Sequence, residues 1–184
     1  MQPEAAQVAI FAAFDHAGEK SVLSADPTAL VIRTNVVYGP EKVGKNFVYQ
    51  LVRKLNAKED MSVPSDQVNT PMYNRDLAMA TKLLLEAKCS GVYNVGGPDS
   101  ECLGRADFAY AVVDALAERT GLDKAHIKPV TTSNAGQTAL RPLASGLKMD
   151  KTTAALAGGK PRTVKAAIED WMANDMEGAK PLGE

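Results

Sequence analysis

The chain has 184 residues, of which 45% are hydrophobic and 23% charged, and its formal net charge is −1. A length within the roughly 100–200 residues of one domain, with ordinary composition and no basic excess, excludes disorder, collagen and coiled coil, and argues against nucleic acid or a membrane as partner. No apolar run approaches the roughly 20 residues of a membrane-crossing helix, the opening stretch carries Glu4 and Asp15 rather than a basic signal-peptide start, and Cys89 and Cys102 form no disulfide framework, which points to a reducing, cytoplasmic setting.

The opening 25 residues are Ala-rich and are predicted as a helix, stopped at Ala25-Asp26-Pro27. Residues 29–34 form a continuous apolar run with β-branched members, the pattern of a strand buried in a parallel sheet. Tyr38-Gly39-Pro40 breaks it. From 46 to 55, Phe47, Val48, Leu51, Val52 and Leu55 fall at helical spacing. Residues 61–63 read as a short strand. Asn74 is the expected cap of a helix with Leu77, Thr81, Leu84 and Leu85 on one side. Residues 91–96 are a second buried strand. A helix over 105–120 carries the stripe Ala109, Val112, Val113, Leu116 and Ala117, with Gly121 as its stop. Residues 127–132 read as a strand, 150–156 as a short helix, and Thr163 as the cap of a last helix with Val164, Ala167, Ile168 and Trp171 inward. The polar tail 177–184 is expected to fray. Strands alternating with helices give an α/β class: a partial doubly wound, Rossmann-like parallel sheet plus a small α/β substrate-binding lobe. Within one domain over 1–184, residues 1–58 and 89–120 read as the sheet-derived part, and 59–88 and 121–176 as the lobe.

Self-sufficient chemical motifs are missing from this sequence. Gly158-Gly159-Lys160-Pro161 lacks the upstream glycine and the Ser/Thr of a phosphate-binding loop, and reads as a helix stop. His16 and His126 have no i, i+4 partner for a metal, and read as surface or capping histidines; no metal site is expected. The cysteines lack redox spacing and read as buried or half-buried thiols. No Ser or Cys sits in a nucleophile elbow.

Four stretches occur in a characteristic order: A-G-E-K-S-V-L…A-L-V-I-R-T-N-V-V-Y-G-P at 17–40, N-F-V-Y-Q-L at 46–51, D-Q-V-N-T-P-M-Y-N-R-D-L-A at 66–78 followed by G-V-Y-N-V-G-G at 91–97, and A-L-R-P-L-A-S-G-L-K-M-D-K at 139–151. Together they resemble the C-terminal half of the extended short-chain dehydrogenase/reductases of the dTDP-4-dehydrorhamnose reductase type. They are also similar to that group's relative, the regulatory β subunit of methionine adenosyltransferase. The resemblance implies a sugar-nucleotide reductase fold using NADPH or NADH. It implies a catalytic Tyr-x-x-x-Lys on a helix, in which the lysine lowers the tyrosine pKa so that the phenol can exchange a proton. In this register the chain carries Phe11 and Asp15. Phenylalanine has no proton to give, and a carboxylate raises a neighbouring pKa.

No catalytic residue is therefore assigned. Tyr38-Gly-Pro-Glu-Lys42 repeats the spelling, but Gly39 and Pro40 cannot continue a helix. Tyr49 and Arg53 read as a solvated helix face. Nothing before residue 29 supplies the family's Gly-rich cofactor turn, so the chain alone is expected to bind no cofactor. The substrate-facing candidates are Thr34 and Asn35 at a strand end, Gln67, and Arg141. Asn35 reads equally as a loop cap. Gln67 and Thr70 read as turn residues or ligand contacts, because Thr70 precedes Pro71 where the family has the reverse order. Arg141 can fork onto a phosphate or hold its loop by an ion pair. Asp66 and Asp76 read as solvated or capping carboxylates.

The expectation is a truncated, catalytically incompetent reductase-like protein that takes a nucleotide sugar, or alternatively a non-catalytic regulatory subunit. Strand 29–34 would then lack neighbours. It would leave an apolar sheet edge, and an apolar first-helix face at Val8, Phe11 and Phe14, open to self-association or a protein partner.

Overall fold

The computed structural model describes residues 8–12, 16–98, 102–136, 142–156, 159–174 and 178–182. The chain opens on a strand, β1 (Val8–Ala12), followed by helix α1 (His16–Ala25) and strand β2 (Leu30–Thr34). β1 runs parallel to β2 in the register Val8↔Leu30 to Ala12↔Thr34, and β2 pairs on its other side with parallel strand β7 (Gly91–Asn94), giving the order β1-β2-β7. Two expectations are corrected here. The opening 25 residues are not one helix, because the hydrogen-bonding edge of β2 outweighs the helix propensity of alanines next to β-branched Val8 and Ile10. β2 also has a neighbour on each side, so the open edge expected at 29–34 is closed by β1. The inference of a missing segment from an unflanked strand does not stand, and no helix presents Val8 and Phe11 as one face. Phe14 and Asp15 lie outside the described residues.

β2 is buried throughout except Arg33, whose guanidinium forks onto the buried Glu19 carboxylate at 2.6 and 2.5 Å and ties α1 to the sheet. This pairing explains why A-G-E and I-R-T occur together in the chain. It also gives the buried Glu19 charge a partner.

Helix α2 (Phe47–Asn56) buries Phe47, Val48, Tyr49, Leu51, Val52 and Leu55, and Asn46 caps it by accepting from the Val48 and Tyr49 amides. Strands β3 (Val37–Tyr38) and β6 (Met72–Tyr73) pair in parallel, as do β4 (Met61–Pro64) and β9 (Ile127–Val130), while β5 (Val68–Asn69) runs antiparallel to β8 (Leu103–Gly104). Helix α3 (Asn74–Glu86) follows β6 directly. Its N-cap is Tyr73 without a side-chain bond, and Asn74 instead donates from Nδ2 to the Pro40 carbonyl at 2.8 Å. The expected Asn74 cap is thus corrected: that side chain bridges two parallel segments.

Helix α4 (Arg105–Thr120) ends at Gly121, whose φ of 60° gives the left-handed stop. Ala109, Val112, Val113 and Leu116 are buried as expected, whereas Ala117 is exposed. Helix α5 (Asp150–Ala155) and helix α6 (Val164–Ala173) complete the fold. Thr163 caps α6 by accepting from the Ala166 amide, and Val164, Ala167, Ile168 and Trp171 face inward.

One core joins α2, α4 and α6, with Tyr38, Phe47, Tyr73 and Phe108 in ring contact. A second lies between β2, α3 and α5. Burying one such side chain stabilises by about 1.5–3 kcal/mol before the entropy cost. The described part of the tail is not frayed. The Lys180 amide donates to the Glu41 carbonyl at 2.9 Å, and Leu182 packs on the first core. Among the described residues no helix is long and apolar enough to cross a membrane.

Candidate functional site

Parallel sheets place ligands beyond the carboxyl ends of their strands. At the end of β2, the Thr34 hydroxyl is buried and has no hydrogen-bond partner among the described residues. Asn35 follows and makes two long-range bonds. Its Nδ2 donates to the Ser145 carbonyl at 2.5 Å, and its Oδ1 accepts from the Thr70 hydroxyl at 3.1 Å. Thr70 is fully buried and also accepts from the Leu147 amide at 3.4 Å. The Val68 amide donates to Leu143 and the Ser145 amide to Val68, at 2.7 and 2.9 Å, so residues 143–145 lie along β5. Gly96, beyond β7, is held so close that a Cβ there would sit 2.6 Å from the Thr70 hydroxyl. Segments 34–36, 67–70, 95–97 and 143–147 thus meet at one end of the sheet.

The chain turns sharply there. Val36 has a φ of 45°, a left-handed conformation that costs a β-branched residue about 1–2 kcal/mol. Such strain concentrates where surrounding contacts over-determine the backbone.

The other sequence candidates fall differently. Gln67 is buried and donates from Nε2 to the Thr132 hydroxyl at 3.1 Å, so it braces the lobe. Arg141 lies outside the described residues. Asp66 accepts from the Thr132 hydroxyl and amide at 2.6 and 2.9 Å, and these bonds hold its carboxyl below the usual range. Tyr38 is buried among aromatic rings, away from any helix it could share with Lys42. Tyr49, expected on a solvated face, is buried and donates to the Lys180 carbonyl at 2.5 Å. Cys89 is half-buried, but Cys102 is exposed, contrary to expectation.

Ser145, Thr132, Arg162 and Asp170 were not singled out by sequence. Apart from Arg162 with Asp170, and Asp170 with Asn174, the groups they join to lie 65 or more residues away, and no local pattern marks those pairings. Asp170 accepts from the Tyr73 hydroxyl at 2.9 Å and from Arg75 at 3.0 Å, while Arg162 pairs with Asp76 through both its backbone amide and its guanidinium. Burial pushes the Asp170 carboxyl up, but the Tyr73 hydroxyl and the two arginines outweigh it and hold the group low. Burial, and then the Asp170 carboxylate, raise the Tyr73 phenol far out of the range of proton transfer near neutrality. This cluster ties α3 to α6 and has the character of a structural network.

Cofactor binding can be tested at the strand-to-helix junctions, where a dinucleotide pyrophosphate needs glycine and free amides. Between β1 and α1 the sequence Ala13-Phe14-Asp15 has no glycine and ends in a negative charge. The first turns of α3 and α4 carry Asp76 and Asp107, and Asp107 lies against Gly104. The acidic side chains in the first turns of α3 and α4 disfavour a pyrophosphate at those two helix ends. Among the described residues no group of three or more potential metal ligands occurs.

Fold and site together define a Rossmann-like α/β protein in which segments 34–36, 67–70, 95–97 and 143–147 gather beyond the carboxyl end of β2. The family model described as the RmlD substrate binding domain matches residues 5–176, and the chain belongs to that family. A dTDP-4-dehydrorhamnose reductase from Aggregatibacter actinomycetemcomitans is 28% identical over 160 residues, covering 83% of this chain and 53% of the relative. The spore coat polysaccharide biosynthesis protein SpsK of Bacillus subtilis is 32% identical over 155 residues, covering 84% and 50%. The crystal structure of dTDP-4-dehydrorhamnose reductase from Bacillus anthracis in complex with NADP matches with a TM-score of 0.72 at 24% identity, covering 85% of this chain and 52% of that one, which shows the shared fold. The chain spans about half the length of the curated relatives it matches.

Proposed function

We propose that this chain is a dTDP-4-dehydrorhamnose reductase-like, sugar-nucleotide-binding protein that does not itself carry the reductive step. The observation that carries the reading is the position of Phe11. The catalytic pair of the family depends on residues i and i+4 sharing a helix face. Phe11 lies in the strand β1 rather than on a helix, and its register partner is Arg33. Phenylalanine there has no exchangeable proton, and Asp15 would oppose the pKa shift that the relay needs. The acidic first turns of α3 and α4, and the lack of glycine in the sequence between β1 and α1, support the same reading, with no cofactor held by the chain alone.

Thr34, whose buried hydroxyl has no partner among the described residues, is the residue best placed to meet a ligand, and Arg141 is the candidate for its phosphates. Asn35 and Gln67 act by holding the segments around the strand end in place. A regulatory role like that of the methionine adenosyltransferase β subunit rests on the same Phe11 and Asp15 and has no further observation of its own. A protein partner or a second copy would use the outer edge of β1 or β7. The test is to mix the purified chain with NADPH and a dTDP-4-dehydro sugar, and to titrate dTDP by calorimetry. Binding of dTDP, weakened by Thr34→Val, with no NADPH consumed is the expected result. NADPH turnover by the chain alone would sink the reading.

A further inference from the structure

A cavity of about 380 Å³ shares no residue with the segments at the strand ends and is lined by Pro40, Trp171, Met172 and residues 179–182. Its outer wall is the C-terminal segment 178–182. That segment is hydrogen-bonded to the rest of the molecule through Lys180. The Tyr49 hydroxyl donates to the Lys180 carbonyl at 2.5 Å, and the Lys180 amide donates to the Glu41 carbonyl at 2.9 Å. The Tyr49 oxygen also accepts from the Glu41 amide at 3.3 Å, so three segments converge on one phenol. The floor is Trp171, 5% exposed and edge-on to the Tyr49 ring at 5.1 Å. Gly178, with a φ of 72°, turns the chain into the segment.

We propose that residues 178–182 form a strap that closes over this cavity and opens as a unit, with Tyr49 as its clasp. The segment belongs to neither a helix nor a strand, and among the described residues it is held by the Lys180 bonds and the apolar contact of Leu182. Segments with few buried contacts open locally at a free-energy cost below that of global unfolding. Opening uncovers Trp171 and frees the Glu41 carbonyl. It thereby loosens the loop between β3 and α2, where the Glu41 carboxylate accepts from the Lys45 and Asn46 amides just ahead of the α2 cap. The C-terminus is thus coupled to the loop that follows Tyr38-Gly39-Pro40. This inference does not depend on the proposed sugar-nucleotide site.

Trp171 is the single tryptophan of the chain, so its fluorescence reports directly on the floor beneath the strap. On the full chain, hydrogen exchange at the Lys180 amide is compared with that at the Ala167 amide, which is bonded within the α6 cap to Thr163. Acrylamide quenching of Trp171 is read in parallel. Tyr49→Phe removes the hydroxyl's bonds to Lys180 and Glu41, and the Lys180 amide is expected to exchange about tenfold faster, with stronger quenching, while Ala167 changes less than about twofold. Gly178→Ala strains the left-handed turn without removing any core atom, and an acceleration of about fivefold at Lys180 alone is expected. If Lys180 and Ala167 accelerate together in Gly178→Ala, or if Lys180 is unmoved in that variant, the strap is no independent unit and the proposal fails. It fails equally if Tyr49→Phe folds and leaves both the exchange and the quenching unchanged.

Discussion

Replacing Asn35 by alanine removes the clasp between the end of β2, the buried Thr70 and the segment beginning at Ser145. Two long-range bonds are lost, at 2.5 and 3.1 Å. Each nets about 0.5–1.5 kcal/mol, which gives about 1–3 kcal/mol for the pair. The Thr70 hydroxyl, fully buried, keeps the Leu147 amide as a donor but loses its acceptor. An orphaned buried donor costs about 1–3 kcal/mol, overlapping in part with the first sum. A loss of about 3 kcal/mol is therefore expected, or about 6–12 °C in Tm for a chain of this size.

Urea denaturation should show a lower midpoint at unchanged slope, because the unfolded surface is the same. Thr70→Val removes the orphan, so Asn35→Ala in that background should cost at least about 1 kcal/mol less. A loss below about 0.5 kcal/mol for Asn35→Ala, or additivity of the two changes, would refute the clasp and leave Asn35 free to be a ligand contact alone.

Gly96→Ala places a Cβ 2.6 Å from the Thr70 hydroxyl and 2.9 Å from its Cβ, and is expected to cost about 1–3 kcal/mol in a thermal melt. Thr70→Ala in the same chain should recover part of that loss, and failure to do so would remove the steric explanation. Asp170→Asn tests the network of Tyr73, Arg75 and Arg162. Because the folded pKa of Asp170 is depressed, its stabilisation is full above the ordinary carboxylate pKa and is lost as pH falls through the folded value. The variant should be less stable than the parent at pH 7, and the gap should close in urea midpoints measured below about pH 4.

Much of the fold was legible because it is local. The apolar spacing in α2, α4 and α6, the hydroxyl of Thr163 and the glycine at 121 each act within one or two helical turns, so a reading of neighbours finds them; the Asn46 cap is equally local but was not among those expected. The family order of four stretches was legible for a related reason: A-G-E and I-R-T carry the two halves of the Glu19–Arg33 fork. The strand ends were legible as a site through Thr34 and Asn35. What Asn35 does there was not, since Ser145 lies 110 positions away.

The sequence by itself determined the α/β class, the amphipathic helices with the Thr163 cap and the Gly121 stop, and the presence of Phe11 and Asp15 where the family's proton relay would be. Only the tertiary structure decided that Val8–Ala12 is a strand, because the free edge of β2 offers backbone hydrogen bonds that an isolated Ala-rich segment can find only within a helix. It likewise decided that Asn74 bridges to Pro40, that Asp170 gathers Tyr73, Arg75 and Arg162, and that Lys180 docks on Tyr49. Apart from the pair Arg162 and Asp170, these contacts join residues 34 to 131 positions apart. Their strength depends on burial and alignment, which exist only once the chain has folded.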